Sequence, residues 1–244
     1  MPKFPDFQKP VTKAVECPFC GKTFDYSLYP EIVIPRDRKL KKKVLNKSLF
    51  FPRCPHCKEE IKLKAVCMYR DDSKREWFVL TDSKDKKVSE MLKTGNIKFD
   101  EVFSEDNIVD LVKGFYTRRV VFDVDSFREK ILLSDCNYDD RIIELMKLSL
   151  STILEEDIGQ PVYRIFLEET SGNQLVFTAI MGNSAPFDYV NIKTIPSVYF
   201  DYKDKYLGKL GDPNMDEYIL TDQQWAMKSD LLKDEDAGVI IPFD

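Results

Sequence analysis

The sequence has a single histidine, His56, among 244 residues, and it has no glycine-rich loop of the kind that cradles phosphate groups. Histidine is the most frequent general acid or base near neutral pH, and His56 lies between two cysteines, where it is poorly placed for that work. We therefore predict no catalytic residue and no residue that binds an organic cofactor, and a function other than catalysis is favoured.

Long apolar stretches are also absent. No segment approaches the roughly 20 apolar residues of a membrane-spanning helix, and residues 1–7 lack the apolar core of a secretory signal peptide. The composition, with 43% hydrophobic and 12% aromatic residues, is sufficient to bury a core. We expect a soluble protein of the cytoplasm with no membrane partner.

Four of the six cysteines form two near-identical motifs, Cys17-Pro18-Phe19-Cys20 and Cys54-Pro55-His56-Cys57. Two Cys-x-x-Cys units supply four thiolates that can surround one ion as a tetrahedron. The sequence predicts one structural Zn²⁺ held by Cys17, Cys20, Cys54 and Cys57. Gly21 follows the first motif and suits a positive φ, whereas Lys58 follows the second, so the second turn is expected to be strained or different in shape.

Three alternatives apply to these cysteines. Cys-Pro-His-Cys resembles the active site of oxidising thioredoxin-like enzymes, but residues 58–66 alternate polar and apolar as a strand does, not as the required helix. A disulfide staple needs an oxidising compartment, and His56 as a ligand competes with better ligands on both sides, so it is expected to point outward. Cys67 and Cys136 stand alone and are interpreted as small buried hydrophobic residues.

Charge is distributed unevenly along the chain. Residues 1–75 contain 18 Lys and Arg against 9 Asp and Glu, a balance of +9, and residues 76–244 contain 19 against 33, a balance of −14. Four of the lysines, Lys39 and 41–43, lie in a predicted helix at 37–46. This basic run is typical of a solvated helix face, and the functional alternative is a contact with phosphate or with an acidic surface. Phe50 and Phe51 are expected to pack beneath the second motif.

The periodicity predicts an α+β fold. Strands are expected at 14–17, 23–34, 61–69, 76–81, 115–124, 162–169, 174–181, 189–192 and 198–202, and helices at 84–93, 127–133 (capped by Ser126), 137–155 (beginning at Asn137 or Asp139) and part of 212–232. The segment 156–161 contains Gly and Pro and is typical of a boundary. The expected organisation is an extended arm (1–13), a domain at 14–155 made of a zinc ribbon with β-hairpins (about 14–81) and a helical part (about 84–155), and a small α+β unit (162–244).

Acidic and basic side chains also cluster outside the cysteine motifs. The pairs Asp123/Asp125 and Asp139/Asp140 are typical of helix caps and turns. A charged set on two predicted helices can be interpreted as a buried acid–base group or as surface ion pairs, and the absence of an accompanying histidine favours surface pairs. Its members are Glu129, Lys130, Arg141, Glu144 and Lys147.

The order of these motifs resembles the CpXC family. The resemblance covers roughly residues 14–155: Cys-Pro-x-Cys-Gly, a long spacer ending in Leu49-Phe50, the second Cys-Pro-x-Cys, a hairpin through Tyr69-Arg70-Asp71, and a helical end with Phe127–Ile131 and 139–147. The family is bacterial and archaeal and has no assigned function, so the resemblance implies the four cysteine ligands and a bacterial cytoplasmic protein, and it implies no activity. Lys58, in place of glycine, departs from the pattern of the first motif.

The function expected from these observations is a binding or assembly module with a structural zinc ribbon and a protein partner. One alternative is a nucleic-acid-binding protein that uses the basic N-terminal part, in which case binding is strongly salt-dependent. Another is a thiol–disulfide oxidoreductase that uses Cys54 and Cys57, in which case these thiols react without prior chelation. The sequence does not indicate an oligomeric state.

Overall fold

The computed structural model describes residues 10–63, 66–81, 116–212 and 220–232. Over these residues the fold is α+β, as predicted, and it contains five α-helices and three sheets. The chain divides into two compact units, one formed by residues 1–128 and 213–219 and the other by residues 129–212 and 220–244. The domain boundaries expected from the sequence, 14–155 and 162–244, stay a prediction.

The first unit begins with an antiparallel hairpin. Strand β1 (Val11–Glu16) pairs with β2 (Thr23–Leu28), in a register that runs from Val11 opposite Leu28 to Glu16 opposite Thr23. The first cysteine motif lies in the connection between these strands. The strand starts at Val11, so residues 11–13 of the expected arm are part of the hairpin, and residues 1–9 lie outside the described part.

A four-stranded sheet forms the larger part of this unit. Its order is β3 (Glu31–Ile34), β4 (Cys67–Asp71), β5 (Glu76–Leu80) and β6 (Thr117–Val121). β4 and β5 form the predicted antiparallel hairpin, but β4 begins at Cys67, so the expected strand at 61–69 was wrong over residues 61–63. The outer strands are parallel to their neighbours. The parallel pairing of β3 with β4 requires a crossover connection. That crossover contains helix α1 (Arg38–Leu45), which matches the predicted helix at 37–46, and the second cysteine motif.

Helix α2 (Val124–Asp135) follows β6 and begins earlier than expected. The prediction that Ser126 caps this helix was wrong. The Ser126 backbone N–H donates to the Asp123 carboxylate (Oδ1) at 2.8 Å, so Asp123 is the capping residue and Ser126 lies in the first turn.

The second unit packs helices on one antiparallel sheet. Helix α3 (Asp140–Ile158) is capped by Asp139, whose carboxylate accepts from the Arg141 N–H at 2.9 Å, and ends at Gly159 with φ of +72°. The sheet has the order β7 (Val162–Ser171), β8 (Gln174–Met181) and β9 (Asp188–Thr194). Helix α4 (Pro196–Tyr206), a short 3₁₀ helix (Leu207–Lys209) and helix α5 (Gln223–Lys228) complete the described part. The core contains Ile142, Leu145, Met146, Leu150, Leu167, Phe177 and Tyr202.

One predicted strand is a helix. The segment 198–202 has β-branched and aromatic residues, but it lies within α4, with Pro196 in the first turn. Val198, Tyr199, Tyr202 and Tyr206 are buried and recur at helical spacing, so packing of this face overrides local strand propensity. The predicted helix at 84–93 lies outside the described residues.

Candidate metal site

The two cysteine motifs adopt the same turn. In each, the residue after the second cysteine donates its N–H to the carbonyl oxygen of the first cysteine. The first cysteine donates its own N–H to the carbonyl oxygen of the residue five positions later. The matched distances are 2.9 Å for Gly21 to Cys17 and 2.9 Å for Lys58 to Cys54, then 3.0 Å for Cys17 to Lys22 and 2.8 Å for Cys54 to Glu59. The sequence duplication is therefore a duplication of structure.

The position after each motif has a left-handed backbone. Gly21 and Lys58 both have φ of +68°. Of the two expectations for the second turn, the structure shows the first: the turn keeps its shape, and Lys58 adopts a conformation that costs an L-residue about 1–2 kcal/mol. The Lys58 ammonium donates to the Pro55 carbonyl oxygen at 2.9 Å, which ties its side chain to the same turn.

Different elements hold the two turns. The first is the tip of the β1–β2 hairpin, and the second is closed by an antiparallel bridge between Arg53 and Glu60. The Tyr26 hydroxyl on β2 donates to the Leu49 carbonyl oxygen at 3.0 Å and so joins the hairpin to the segment that leads into the second turn. A small core of Cys17, Cys54 and Ile61, with Phe24 and Leu63 packed against it, lies beneath.

The four sulfur atoms converge. Cys17 Sγ lies 3.6 Å from Cys57 Sγ, Cys20 Sγ lies 3.8 Å from Cys54 Sγ, and all four lie within 4.8 Å of one another. A tetrahedron with metal–sulfur bonds of about 2.3 Å has sulfur–sulfur edges of about 3.8 Å. These two sulfur–sulfur distances match the tetrahedral edge, and the four predicted ligand atoms are close enough together to surround one metal ion.

The thiols differ in acidity. Burial raises the pKa of Cys54, but backbone N–H groups of Cys57 and His56 outweigh it and lower this pKa to about 6. The Glu59 N–H lowers the pKa of Cys57, but burial and the neighbouring sulfur atoms outweigh that effect and raise it to about 12. The Cys54 thiolate therefore forms readily, whereas the Cys57 thiolate is disfavoured by burial and by the neighbouring sulfur atoms. A divalent cation supplies the charge that holds all four as thiolates.

Two alternatives for the motifs fit the geometry less well. His56 is exposed, as expected, and is not part of the sulfur cluster. A thioredoxin-like redox pair needs its first cysteine at a helix N-terminus, and residues 58–63 after the second motif form no helix. The surroundings of Cys54 and Cys57 are those of a metal-binding turn.

The two remaining cysteines differ from each other. Cys67 is fully buried on β4, as expected, and burial raises its pKa well above the ordinary value. Cys136 is only half-buried, so its interpretation as a buried hydrophobic residue was wrong. Its Sγ lies 3.0 Å from the Thr170 hydroxyl oxygen, a polar contact on the side of β7.

The charged set on α2 and α3 is buried. Exposed fractions range from 2% for Glu129 to 6% for Arg141, so the interpretation as surface ion pairs was wrong. Lys147 Nζ lies 2.7 Å from Glu129 Oε2 and 3.0 Å from Glu144 Oε1, and Lys130 Nζ lies 2.8 Å from Asp140 Oδ2. Charged residues on a helix usually face solvent, and the contacts that bury these come from distant segments that sequence spacing does not show.

Backbone groups complete this buried cluster. Glu129 Oε1 accepts the Leu167 N–H at 2.6 Å, and the Lys130 ammonium donates to the Thr221 carbonyl oxygen at 2.8 Å. Burial raises the pKa of Glu129 against the attraction of Lys147. Burial lowers the pKa of Lys147, but Glu129 and Glu144 outweigh it, and the pKa of Lys147 lies above its ordinary value. Lys147 therefore stays charged, and the cluster joins α2, α3, β7 and the segment before α5.

The aspartate pairs act in local structure. Asp123 and Asp139 cap helices α2 and α3, as expected. Asp125 pairs with Lys47 at 2.7 Å, and Asp140 pairs with Lys130. In the described residues, the four cysteines are the one group of three or more potential metal ligands that converges.

Comparison with known proteins gives a family and no relative of known function. Residues 15–147, more than half of the 244, match the family described as CpXC protein. No curated protein and no solved structure matches the chain. Among the described helices, none combines the length and apolarity needed to cross a bilayer. The match contains both cysteine motifs, the four-stranded sheet and all five side chains of the buried charged set, and the chain belongs to the CpXC family.

Proposed function

We propose that Cys17, Cys20, Cys54 and Cys57 hold one structural Zn²⁺ and that the protein is a binding or assembly module, not an enzyme that uses this metal. The observation that carries the proposal is the closed ligand set: four sulfur atoms within 4.8 Å occupy every position of a tetrahedral ion. Catalytic zinc keeps one position for water or substrate. A metal in this site has none, so its contribution is to the fold.

Zinc is favoured over iron. Four thiolates in a tetrahedron suit both metals, but zinc binds such ligands more tightly than Fe²⁺ does. Metal binding to small cysteine domains contributes on the order of 10 kcal/mol at neutral pH. The small core beneath the turns contains few apolar side chains, so this part of the chain depends strongly on the ion.

The metal content of the purified protein tests this proposal. We expect one zinc per chain by elemental analysis of protein expressed in medium that contains both zinc and iron. Cys54→Ser should lose the zinc and the protection of β1 and β2 against hydrogen exchange. Cys136→Ser, which alters a half-buried cysteine outside the site, should retain both. Substantially less than one zinc per chain, or a coloured iron protein, would contradict the proposal.

We also propose a bacterial cytoplasmic location, since thiolate ligands persist in a reducing compartment. Co-fractionation with a cytoplasmic marker tests this location. The rival redox function predicts a different thiol chemistry: a redox pair is alkylated at once, whereas ligand cysteines react only after a chelator removes the metal. Mass spectrometry after brief iodoacetamide treatment should find Cys54 and Cys57 unmodified until chelator is added. Immediate alkylation of both would favour the oxidoreductase.

A further inference from the structure

Helix α1 presents four cations along one side. Five of its eight residues are basic and none is acidic. At about 100° per residue, four of the basic positions fall within an arc of roughly 140°, and all four are exposed. We define these as the basic face: Arg38, Lys39, Lys42 and Lys43. On the opposite side, Val44 is buried and Leu40 is half-buried, and half-buried Leu45 lies at the edge of the face, next to Arg38.

The other charged groups near this helix are already engaged. The Asp37 carboxylate before the helix accepts from the Val33 N–H at 2.9 Å and from Arg36 at 2.6 Å. Lys41 Nζ lies over the Tyr69 ring, 5.7 Å from its centroid, and Lys47 pairs with Asp125. Within the described ranges, no acidic side chain pairs with a member of the basic face. Lys41 and Lys47 therefore make contacts within the protein, whereas the four cations of the basic face lie together on the surface without an acidic partner among the described residues.

We propose that the basic face binds the phosphate backbone of nucleic acid without reading its sequence. This inference names a partner for the binding module proposed above and rests on it. Phosphate oxygens accept readily from ammonium and guanidinium groups, and neutralising several phosphates releases condensed counterions. The basic face offers cations, and none of its four residues is an aromatic that could stack on a base. Contacts of this composition position a protein on nucleic acid and do not specify bases.

The same face is poorly suited to other anionic partners. A helix that lies on a membrane inserts an apolar side between lipids, and the apolar side of α1 packs against the protein. A stable protein interface centres on buried aromatic or aliphatic residues, and the basic face has none. A phosphate polymer needs neither, so nucleic acid is the partner that this surface fits.

The salt dependence of binding tests the inference quantitatively. We would measure anisotropy of a labelled mixed-sequence 20-base-pair DNA duplex with the zinc-loaded full-length protein from 25 to 200 mM NaCl. Four phosphate contacts predict a slope of about −3.6 for the logarithm of the binding constant against the logarithm of salt concentration. Affinity should then fall roughly 150-fold between 50 and 200 mM.

Neighbouring lysines supply matched variants. Lys42→Gln should weaken binding and reduce the magnitude of the slope by about one. Lys41→Gln removes the same charge one residue away, from a lysine directed at Tyr69, and should leave the slope unchanged. Zinc content and thermal unfolding of each variant establish that it is folded. These two measurements also distinguish failure of the two proposals. If the folded protein holds one zinc but does not bind nucleic acid, the proposed partner is wrong and the proposed metal site is not.

Three results would overturn the inference. The first is no binding to duplex or single-stranded DNA or RNA at 25 mM salt. The second is a slope that is the same in Lys42→Gln and in the parent protein. The third is retention on vesicles with 30% phosphatidylserine, abolished by Lys42→Gln, without any binding to nucleic acid. That result would assign the face to an anionic membrane.

Discussion

The position after each cysteine motif has a left-handed backbone, which glycine adopts readily and lysine does not. Gly21 and Lys58 have the same φ of +68°, and a Cβ added at Gly21 meets no atom within 4 Å. The difference between the two positions is therefore conformational and not steric. The motif itself predicts the ligand atoms, because Cys-x-x-Cys is a local pattern. It does not decide between a strained turn and a different turn at Lys58, because the turn is closed by a backbone hydrogen bond to the first cysteine that both Gly21 and Lys58 make.

Glycine at position 58 should stabilise the protein, and lysine at position 21 should destabilise it. Lys58→Gly removes the cost of a left-handed L-residue, about 1–2 kcal/mol, but adds the chain entropy of glycine, about 0.5–1 kcal/mol. We expect a net stabilisation of about 0.5–1 kcal/mol. Gly21→Lys should destabilise by about 1 kcal/mol. The measurement is the free energy of unfolding in denaturant at saturating zinc.

Lys62→Gly is the control for this pair, because Lys62 is exposed nearby and is not among the residues with positive φ. It should give no stabilisation. If Lys58→Gly destabilises as much as Lys62→Gly does, the bond from the Lys58 ammonium to Pro55 contributes more than the backbone conformation costs.

The buried charged cluster shows where sequence reasoning failed. Lys147 and Glu144 are three residues apart on α3, a spacing that is equally typical of exposed helix pairs. Their burial depends on Glu129 from α2 and on the backbone of β7, which lies 38 residues from Glu129. Spacing within a helix reports which residues share a side of it, and only tertiary packing determines what covers that side.

Removing the central cation of this cluster should be costly at neutral pH. Lys147→Met leaves the carboxylates of Glu129 and Glu144 buried with less compensation, and breaking a buried pair in this way costs about 3–5 kcal/mol. Burial already raises the pKa of Glu129, and loss of Lys147 removes the group that opposes this. A carboxyl whose folded pKa is raised binds protons more tightly in the folded state, so stability falls as pH rises through that pKa.

The stability deficit of Lys147→Met should therefore be larger at pH 8 than at pH 5. Denaturant unfolding of the variant and of the parent protein across this range measures the difference. The double variant Glu129→Gln with Lys147→Met has one less buried charge and should recover part of the loss at pH 8. A deficit that is the same at both pH values would show that lost packing, and not unpaired charge, is responsible.

Helix α3 begins with a residue that has two tasks. The Asp139 carboxylate caps the helix through the Arg141 N–H and also pairs with the Arg141 guanidinium at 2.7 Å. Arg141 is buried and donates to the Gly211 carbonyl oxygen as well. The start at Asp139 was predictable, because a cap before an apolar 3.6-residue period is a local signal. The second task was not, since it depends on the distant Gly211.

Substitutions at Asp139 should separate these tasks. Asp139→Asn keeps an oxygen for the cap and removes the charge, at a cost on the order of 2 kcal/mol because Arg141 is mostly buried. Asp139→Ala removes both and should cost about 1 kcal/mol more. Asp157→Asn, an exposed change at the other end of the helix, is the control and should be nearly neutral. Equal losses for Asn and Ala, measured by thermal and denaturant unfolding, would show that the cap contributes nothing.

Local pattern also explains which elements were predicted. Hairpin β7–β8 and helix α3 have long, regular periods, and both were expected within a few residues of their observed bounds. Helix α4 was expected as a strand at 198–202, because tyrosine and valine favour strands when neighbours are ignored. Its four buried side chains, three tyrosines and one valine, recur every three to four residues. Four residues among eleven give too weak a helical period to outweigh their strand propensity in a reading of the sequence.

The two compact units have separate sources of stability. The first contains the four clustered cysteines of the proposed zinc site, and the second contains a core of 20 buried residues and none of those cysteines. A ligand that binds only the folded form of a cooperative unit stabilises that unit by RT ln(1 + L/Kd), where L is the free ligand concentration. Zinc should therefore raise the stability of the first unit and leave the second unchanged.

The two tryptophans of the chain make this prediction measurable, because Trp77 lies on β5 in the first unit and Trp225 on α5 in the second. Trp225→Phe leaves Trp77 fluorescence to report on the first unit, and Trp77→Phe leaves Trp225 to report on the second. In urea, zinc removal should lower the unfolding midpoint reported by Trp77 and leave the midpoint reported by Trp225 in place. Midpoints that coincide and shift together would instead establish one cooperative unit, in which the four cysteines stabilise the whole chain.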